Sequence, residues 1–495
     1  MVMQTPQSAI TAFESSIVSD PDEHSRRIGQ YVPAFSDGKF SFVDLNEFAS
    51  ASSGHQVPAI DRPSDDLRLL TFNASAELQL LRPQRVVKRE AQSCVTVCFG
   101  RSRRVILPAD QRLMCFNTAT GLCDSTPIDA ALGLLSPRAA EIPDAGHGEV
   151  EQIPGFDGQL CRLTYQLGWW IGCVIGNGWV SSDHRVFLCG AIESEVLAQW
   201  STVTAQLFGL TTSKPQDRTT AKGAWGKSRK ISVSSRDLAA WVAPMVGHGA
   251  GAKHLPAVTF TAGREFQLGL IAGLFDTDGT IRAAKSGRFN LVYTTKSPML
   301  CRQIAWLLKL FGVDSNFALQ TNNFERQAWA LHPSVVDFHR LPISFSDPQR
   351  NNVLALMREN PPLARERTND VLPLSHDESE TMCAMFRGTA ATRKKDPDKH
   401  LFTLYVAMRS ARRAGHIGRH SLLQIVDWLG DRCPVTVRER LETNLHWARV
   451  TEVTQMGPMD VLDVHFDDAA VAVVADCGIP VFMAREARSV GAGII

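Results

Sequence analysis

The sequence predicts an α+β protein, with a duplicated core of helices and strands inserted into an all-β domain and an extra helical region. Three patterns lead to this prediction. Short runs of alternating apolar residues, separated by turn residues, occur near both ends of the chain and indicate β-strands. An apolar helical segment occurs twice in the centre, and residues 351–446 have a largely helical pattern.

Composition is that of a globular protein and excludes several other classes. No apolar stretch in the 495 residues is long enough to cross a membrane, and the polar first 30 residues do not look like a signal peptide. We therefore expect a cytoplasmic or nucleoid-associated protein. The 11 cysteines have no CxxC spacing, which argues against zinc and against a disulfide framework. The net charge of +1 does not by itself indicate a nucleic-acid partner.

Changes of pattern along the chain predict its domain organisation. The predicted segments are a tail (1–24), the first part of a β domain (25–155), a duplicated core (156–350), a helical region (351–446), the second part of the β domain (447–483) and a terminal tail (484–495). Within the first β segment, residues 121–155 are rich in Pro, Gly and acidic residues and are predicted to form a connection. Strand-like segments on both sides of a mixed centre indicate one β domain interrupted by an insertion.

Two separate sequence blocks recur in the same order in the centre of the chain. The segments "LGWWIGCVIGNGWV" (167–180) and "LGLIAGLFDTDGTI" (268–281) share apolar residues at helical spacing and a terminal polar–Gly pair. Further along, "AIESEVLAQWSTVTAQLFGL" (191–210) corresponds to "TKSPMLCRQIAWLLKLFGV" (295–313). Chance similarity between apolar helices does not explain two blocks in one order. The pattern predicts two αββα-like units related by a pseudo-two-fold axis.

The small residues of the two motif helices predict a close contact between them. Gly172 and Gly176 in one helix, and Ala272 and Gly273 in the other, have little side-chain bulk. Two helix backbones can therefore approach each other closely at these positions.

The ends of the two motif helices predict a cation site. Gly178 and Gly279 are expected to end the helices as left-handed caps. Asn177 and Asp278 then lie at the helix carboxyl ends, where a carboxylate is unfavourable unless a cation joins it. Two such ends that meet would suit a hard divalent metal with oxygen ligands. The alternative is a helix-ending Asp without a task, which the duplication disfavours.

These motifs resemble the LAGLIDADG signature of homing endonucleases. Ile271–Gly279 matches closely, and Trp170–Gly178 is the more distant copy. Residues 247–281 resemble the region between the motifs of intein endonucleases, including a Lys-x-x-Pro-like element at Lys253–Pro256. The resemblance implies a duplicated αββαββα core.

The segments that flank this core resemble the Hint fold of self-splicing inteins. They are the β segments at 33–118 and 447–483. Together with the motifs, the resemblance covers roughly residues 25–483. It implies a LAGLIDADG core inserted into a Hint-like β domain.

The family's chemistry can be transferred to four positions. In this family, acids at the ends of the motif helices bind Mg²⁺ and position water for phosphodiester hydrolysis, and the matching residues here are Asn177 and Asp278. A basic residue of each repeat is expected near the scissile phosphate. Lys253 and Arg350 follow Asn177 and Asp278 at similar distances along the chain, and the alternative is a solvated surface charge, which Arg350 fits better than Lys253 does. The motif's other acid, Asp276, is expected to pack or to hydrogen-bond at the helix end.

Asn177 is the main departure from the family. Its amide oxygen can ligate a cation but supplies no charge, and an arginine such as Arg350 cannot deprotonate to act as a base. Nicking of one strand, slow cutting of both strands and binding without cleavage therefore stay open.

The resemblance places DNA contacts on the strands that follow each motif. Residues 280–297 are predicted to form a hairpin around Ser286–Gly287. Nine Lys and Arg face four Asp and Glu between residues 279 and 350, and the ratio is nine to five between 178 and 253. The side chains expected to contact DNA are Arg282, Lys285, Arg288, Asn290, Lys296 and Arg185. A further basic group, which either extends this surface or is a solvated helical face, is Arg393–Lys395 with Arg409, Arg412, Arg413 and Arg419.

The residues needed for self-splicing are missing at their expected places. Inteins begin with Cys or Ser, contain a Thr-x-x-His and end in His-Asn. The first cysteine is Cys94, only Ser25 lies near the expected start, and residues 101–120 contain no histidine. Phe482–Met483 stand where His-Asn is expected.

The sequence therefore predicts a splicing-inactive LAGLIDADG DNA endonuclease. It is expected to be a monomer that binds a long double-stranded DNA target and uses Mg²⁺. Two alternatives stay open: a non-catalytic DNA-binding protein, which Asn177 favours, and an RNA maturase of the same superfamily.

Overall fold

The computed structural model describes sixteen stretches of the chain, and the fold is given for these. They are residues 31–36, 39–44, 67–72, 78–83, 85–100, 103–139, 150–191, 195–218, 228–284, 288–321, 327–360, 371–392, 398–443, 445–465, 472–474 and 480–482. Both predicted tails, 1–24 and 484–495, lie outside them.

The amino-terminal part of the described chain consists of strands. These are β1 (Tyr31–Ser36), β2 (Lys39–Asp44), β3 (Arg68–Phe72), β4 (Leu78–Leu81), β5 (Arg85–Phe99), β6 (Arg103–Pro108), β7 (Arg112–Phe116), β8 (Cys123–Pro127), β9 (Leu135–Ala139), β10 (Gln152–Pro154) and β11 (Leu160–Arg162). Alternating apolar residues form the strand faces that pack inward. Val95, Val97 and Phe99 of β5, for example, are buried in one apolar cluster.

The prediction of a connection at residues 121–155 is wrong in part, because β8 and β9 lie within it. The prolines of this stretch suggested a loop. Pro137 is accommodated because β9 is the edge strand of its sheet and pairs on one side only.

Two consecutive units of alternating helices and strands follow. The first contains α1 (Tyr165–Asn177), β12 (Gly178–Val180), β13 (Arg185–Ala191), α2 (Glu195–Phe208), β14 (Gln216–Arg218), β15 (Ser228–Ser234) and α3 (Arg236–Val246). The second contains α4 (Arg264–Thr277), β16 (Gly279–Ala283), β17 (Phe289–Thr295), α5 (Pro298–Lys309), β18 (Ser315–Thr321), β19 (Gln327–Pro333), the short α6 (Val335–Phe338) and α7 (Pro348–Glu359).

The two units have the same internal arrangement. Each forms a four-stranded antiparallel sheet, in the order β12-β13-β15-β14 in the first and β16-β17-β19-β18 in the second. In both, the motif helix leads directly into the first strand. The predicted recurrence of two helix–strand units is therefore present in the fold.

Helices α1 and α4 cross at their glycines, as the small residues predicted. A Cβ at Gly172 would lie 2.5 Å from the carbonyl oxygen of Leu270, and one at Gly273 would lie 2.1 Å from that of Trp169. Any larger residue would therefore push the backbones apart. The same restriction applies at Gly168 and Gly269. This crossing brings the carboxyl ends of the two helices together.

The helical region that follows has an apolar cluster of its own. Its elements are β20 (Val371–Pro373), α8 (His376–Met385), α9 (Lys399–Ala414), β21 (His416–Gly418), α10 (Arg419–Leu429) and α11 (Val435–Glu442). Leu404, Met408 and Phe386 are fully or almost fully buried in this cluster. Strands β20 and β21 pair with each other and connect the two halves of the region.

The last strands return to the amino-terminal sheets. They are β22 (Leu445–His465), β23 (Ala472–Val474) and β24 (Pro480–Phe482). Strand β22 pairs with β5 and β9, while β23 pairs with β3 and β24 with β7. Strands from the two ends of the chain thus share sheets, and the intervening residues lead away from these sheets and back.

A buried ionic cluster joins these sheets to the second repeat. Arg138 of β9 donates two hydrogen bonds, of 2.6 and 2.7 Å, to the carboxylate of Asp314, which precedes β18. The His446 ring of β22 and the Lys309 amine of α5 lie 3.4 and 3.7 Å from the same carboxylate. The side chain of Arg138 is only 2% exposed, so the charge of Asp314 compensates a cation that water barely reaches.

Within the described part of the chain, none of the helices combines the length and apolarity needed to cross a bilayer.

Candidate functional site at the crossing of the motif helices

A pocket of about 310 Å³ lies at the carboxyl ends of α1 and α4. Helix α1 ends at Asn177, and Asp278 is the residue that follows the last turn of α4. Both side chains line the pocket, together with Lys253 and Lys296. The helix crossing thus brings one amide, one carboxylate and two amines from both repeats into one place.

The two glycines after the helices are not left-handed caps, so that prediction was wrong. Gly178 has φ −105° and ψ 177°, an extended conformation, and Gly279 is the first residue of β16. Glycine is needed for space, because a Cβ would lie 2.6 Å from the Phe187 carbonyl oxygen at Gly178 and 2.5 Å from the Phe275 carbonyl oxygen at Gly279. In each repeat the backbone therefore passes from helix to strand without an intervening loop, which fixes Asn177 and Asp278 at the two junctions.

Burial raises the pKa of the Asp278 carboxyl to about 6, against the opposing effects of Lys253 and Arg350. No side chain or backbone amide of the described residues donates a hydrogen bond to this carboxylate. The charged form of Asp278 is thus stabilised by the positive charges of Lys253 and Arg350, without a direct hydrogen bond from the described residues. A partly buried carboxylate of this kind is available to a ligand that brings positive charge.

Lys253 connects the two repeats at the pocket. Its amine donates a hydrogen bond to the carbonyl of Gly176, in the last turn of α1. Its own carbonyl accepts a hydrogen bond of 2.6 Å from the Ser297 hydroxyl, at the start of α5. Burial lowers the pKa of the Lys253 amine, and Asp278 opposes this shift.

Arg350 holds a comparable position on the other motif helix. Its guanidinium donates to the carbonyl of Phe275, in the last turn of α4, and lies 3.6 Å from the Asp347 carboxylate. Arg350 and Lys253 each bring positive charge to the negative end of a motif helix. Unlike Lys253, Arg350 is not among the residues that line the pocket.

Asp276 has the structural role expected for it. Its carboxylate accepts hydrogen bonds of 2.8 Å from the Trp169 indole of α1 and of 2.8 Å from the Ser346 hydroxyl. The Ser346 backbone amide donates to it as well. Asp276 therefore connects α1, α4 and the segment before α7, and its carboxylate already accepts hydrogen bonds from within the protein.

The side chains predicted to contact DNA lie on and beside the two sheets. Arg282 and Asn290 are cross-strand partners on β16 and β17, and both are exposed, as is Arg288. Arg185 is exposed on β13 but forms an ion pair with Asp183. Lys296 lines the pocket rather than the open sheet face. Lys285 and the turn Ser286–Gly287 lie outside the described residues.

An aromatic pair that was not predicted from the sequence lies beside the pocket. The rings of Trp179 on β12 and Phe187 on β13 are stacked, with centroids 4.6 Å apart and an interplanar angle of 5°. Arg185 and Lys230 approach the Phe187 ring to 5.7 and 5.5 Å. Trp179 also lines the pocket, next to Thr294. Only the position of Trp179, two residues after Asn177, could have indicated this from sequence.

The members of the basic group after residue 390 have different environments in the fold. Arg393–Lys395 lie outside the described residues. Arg419 donates to the carbonyls of Leu441 and Leu445 and so joins α11 to β22. Arg409 and Arg413 are exposed on α9.

Of the positions tied to splicing, Ser25 and Met483 lie outside the described residues. Phe482 pairs with Arg112 in the sheet, and Cys94 is buried on β5.

Comparison with known families identifies one domain. Residues 265–345 match the model of the LAGLIDADG-like domain. The match begins in α4 and ends just before the Ser346 that donates to Asp276. The chain therefore contains a LAGLIDADG-like domain in its second repeat.

Two curated proteins show more limited similarity. The ATP-dependent DNA helicase Hel308 of Thermococcus kodakarensis is 25% identical over 218 residues, which cover 42% of this chain and 19% of the helicase. A DNA polymerase of Thermococcus hydrothermalis is 29% identical over 123 residues, covering 23% of this chain and 7% of the polymerase. The chain thus spans less than a fifth of the length of each.

Three solved structures resemble parts of the chain. The homing endonuclease I-DmoI in complex with DNA and Ca has 16% identity, covers 40% of this chain and 98% of its own, and has a TM-score of 0.28. The homing endonuclease I-WcaI bound to its DNA recognition sequence has 12% identity, covers 38% and 85%, and has a TM-score of 0.30. Full-length DUF199/WhiA from Thermatoga maritima has 8% identity, covers 58% and 94%, and has a TM-score of 0.28. TM-scores this low do not establish a common overall fold.

Proposed function

We propose that this protein is a site-specific DNA endonuclease that hydrolyses phosphodiester bonds with a divalent metal ion. The observation that carries the proposal is the convergence of Asp278, Asn177 and Lys253 at the carboxyl ends of two closely crossed helices. The LAGLIDADG-like domain at residues 265–345 supports it independently. Because both repeats belong to one chain, a monomer can provide the complete site.

The residues of the pocket fit a hard cation in part. Asp278 offers an anionic oxygen and Asn177 a neutral one, which are ligands that Mg²⁺ accepts. The described residues contain no group of three His, Cys, Asp or Glu side chains that could hold a metal. The remaining ligands would therefore be phosphate oxygens of the DNA and water. A metal bound there would activate water and stabilise the charge of the leaving oxygen.

The protein's own side chains have separable tasks in this proposal. Lys253 brings positive charge to the place where the scissile phosphate would lie, and in its charged form it donates hydrogen bonds to phosphate oxygens. Arg350 supports the charged form of Asp278 from outside the pocket. The exposed Arg282, Arg288 and Asn290 are suited to phosphates and to the guanine and adenine edges of the major groove.

A second candidate is a non-catalytic DNA-binding protein. The observation that favours it is the charge of the side chains that line the pocket. The pocket is lined by one carboxylate and two amines, which is a weak setting for a divalent cation. An RNA maturase is the remaining alternative. The three functions are separated by an assay of binding and Mg²⁺-dependent cleavage on duplex DNA carrying the native target, with structured RNA as competitor.

Replacing Lys253 and Arg288 separately should distinguish catalysis from binding. We expect Lys253→Ala to reduce cleavage on the order of 10²-fold while DNA affinity changes little, because Lys253 acts on the reacting phosphate. Arg288→Ala should instead weaken binding by roughly 1–3 kcal/mol if it reads a base, and leave the rate of the bound complex unchanged. Single-turnover cleavage and equilibrium binding measure the two effects. Equal losses of binding and cleavage in both variants would show that Lys253 does not act on the reacting phosphate.

We also propose that the β sheets formed by the two chain ends are a Hint-like scaffold that no longer splices. The pairing of β22, β23 and β24 with amino-terminal strands supports a domain interrupted by an insertion. Phe482 offers no side-chain amide for cyclisation near the carboxyl end of this scaffold.

The purified chain should therefore stay intact during prolonged incubation with thiol. Intact-mass measurement over time tests this expectation, with incubation without thiol as the control. Fragments that end near residue 25 or near residue 483 would contradict it.

A further inference from the structure

A second pocket, of about 270 Å³, lies between the helical region and the β sheets. None of the residues that line it belongs to the motif helices. The helical region contributes Ser375 and His376 at the start of α8 and Arg412 and Arg413 at the end of α9, and β22 contributes Arg449. Backbone segments on either side of β8 complete it. We name it the arginine pocket and define it by Arg412, Arg413, Arg449 and His376.

The charge of the arginine pocket is positive and only partly compensated. Arg412 forms an ion pair with Glu380, and the His376 ring lies 3.8 Å from the same carboxylate. Within the described residues, neither Arg413 nor Arg449 has a carboxylate partner, and the lining includes no acidic residue. Two positive charges therefore face this pocket without a carboxylate partner among the residues that the structure describes.

The side chain of Arg449 contacts a histidine ring and no carboxylate among the described residues. One of its terminal nitrogens lies 2.9 Å from Nδ1 of His416, on β21. Burial lowers the pKa of the His416 ring, the hydrogen bond to the Ala414 carbonyl opposes this shift, and the Arg449 charge lowers the pKa further, so the ring brings no counter-charge to the arginine. A guanidinium held in position with its charge uncompensated is suited to a phosphate group, which it can bind through two parallel hydrogen bonds.

Three backbone amides at the start of α8 already donate hydrogen bonds within the protein. The amide of His376 donates to the Thr118 carbonyl at 2.8 Å, and those of Ser375 and Glu378 are used in the capping box. The bond between His376 and Thr118 connects the helical region to the turn after β7. Recognition of an anion therefore depends on the arginine side chains.

We propose that the arginine pocket binds a phosphate of the DNA backbone, outside the part of the target that contacts the two repeat sheets. This inference rests on the proposed function. Arg413 and Arg449 are exposed side chains around an open pocket, which suits one phosphate of a long polyanion. The helical region and the β sheets thus extend the DNA footprint together, and the contact carries no sequence information.

The test compares long and short duplexes over a range of salt concentrations. We expect the double variant Arg413→Ala/Arg449→Ala to weaken binding of a long target duplex about tenfold and to reduce the slope of log Kd against log[salt] by about 1 to 2. Affinity for a duplex trimmed to the centre of the target should not change. Arg432→Ala is the matched control, because Arg432 is an exposed arginine of the same helical region, approaches the Trp428 ring and does not line the pocket. An unchanged slope in the double variant, or an equal loss in the control, would overturn the proposal.

Titration with inorganic phosphate, followed by calorimetry, distinguishes the source of the phosphate. Weak binding that the double variant loses, together with the DNA effect, supports the proposal. Phosphate binding without any effect on long duplex DNA would assign the pocket to a small phosphate compound and overturn the DNA assignment. If the parent protein binds no duplex at all, the proposed function fails, and the phosphate titration still shows separately whether the pocket holds an anion.

Discussion

Asp278→Asn should abolish Mg²⁺-dependent cleavage, with a loss of at least about 10³-fold. Asp278 is the only carboxylate that lines the pocket in the described part of the chain, so the variant leaves no anionic ligand for the metal. The loss of this negative charge should also lower the pKa of the Lys253 amine further. In the parent protein, the Asp278 carboxylate raises that pKa and so opposes the effect of burial. Cleavage of a duplex with each strand labelled separately, across a Mg²⁺ titration, measures the effect.

The converse variant provides the matched comparison. Asn177→Asp adds a second carboxylate at the equivalent helix end and should raise metal affinity and shift nicking towards cutting of both strands. Circular dichroism spectra identical to that of the parent would confirm that both variants fold. If Asp278→Asn cleaves as well as the parent, the catalytic site lies elsewhere. If the parent and both variants bind DNA but never cleave it, the non-catalytic function is correct.

The same carboxyl predicts a pH dependence. With its pKa raised to about 6, Asp278 is protonated over a range in which an ordinary aspartate is charged. A protonated carboxyl cannot serve as an anionic ligand, so metal-dependent cleavage should fall as the pH decreases through about 6. Saturating metal should move the midpoint to lower pH, because metal and proton compete for one group. A midpoint near 4 at low metal concentration would contradict this assignment.

The second large effect concerns stability. Asp314→Asn should lower the free energy of unfolding by roughly 3–5 kcal/mol, since it removes the carboxylate that compensates a buried guanidinium. The side chain of Arg138 is 2% exposed, and the Lys309 amine, on a side chain only 5% exposed, lies 3.7 Å from the same carboxylate. Because this cluster joins the β sheets to the second repeat, the variant should also make the joint between them more susceptible to proteolysis.

Denaturation in urea measures the loss, and a surface pair provides the control. Asp217→Asn removes the partner of Arg229 in an ion pair whose side chains are 64% and 39% exposed. Water compensates those charges, so we expect a change of no more than about 1 kcal/mol. Equal small losses in both variants would show that the buried cluster contributes no more than a surface pair.

Local sequence patterns were sufficient to predict the motif helices and the repeated units. The helical spacing of apolar residues in 167–180 and 268–281 is a property of neighbouring residues, and so is the small size of Gly172 and Gly273. These patterns predicted where the helices end and therefore which side chains, Asn177 and Asp278, lie at their ends. The role of Asp276 in hydrogen bonding also followed from its place in the motif.

Local patterns failed where a residue's role depends on how the folded backbone is arranged around it. Gly178 and Gly279 looked like helix caps because glycine commonly ends helices, but the space each occupies is limited by the carbonyl of another residue. Pro137 suggested a loop, although an edge strand tolerates it.

The sequence alone determined the positions of the motif helices and the place of Asp278 at the end of one of them. Only the tertiary structure decided which charges meet. It placed Lys253 and Lys296 in the pocket of Asp278, and it paired Arg138 with Asp314, a residue 176 positions away. Helical and strand periodicity depend on interactions among near neighbours, whereas an ion pair or a pocket depends on how complete elements pack. No local spacing encodes that packing, so the charged residues of this chain acquire distinct roles only in the folded molecule.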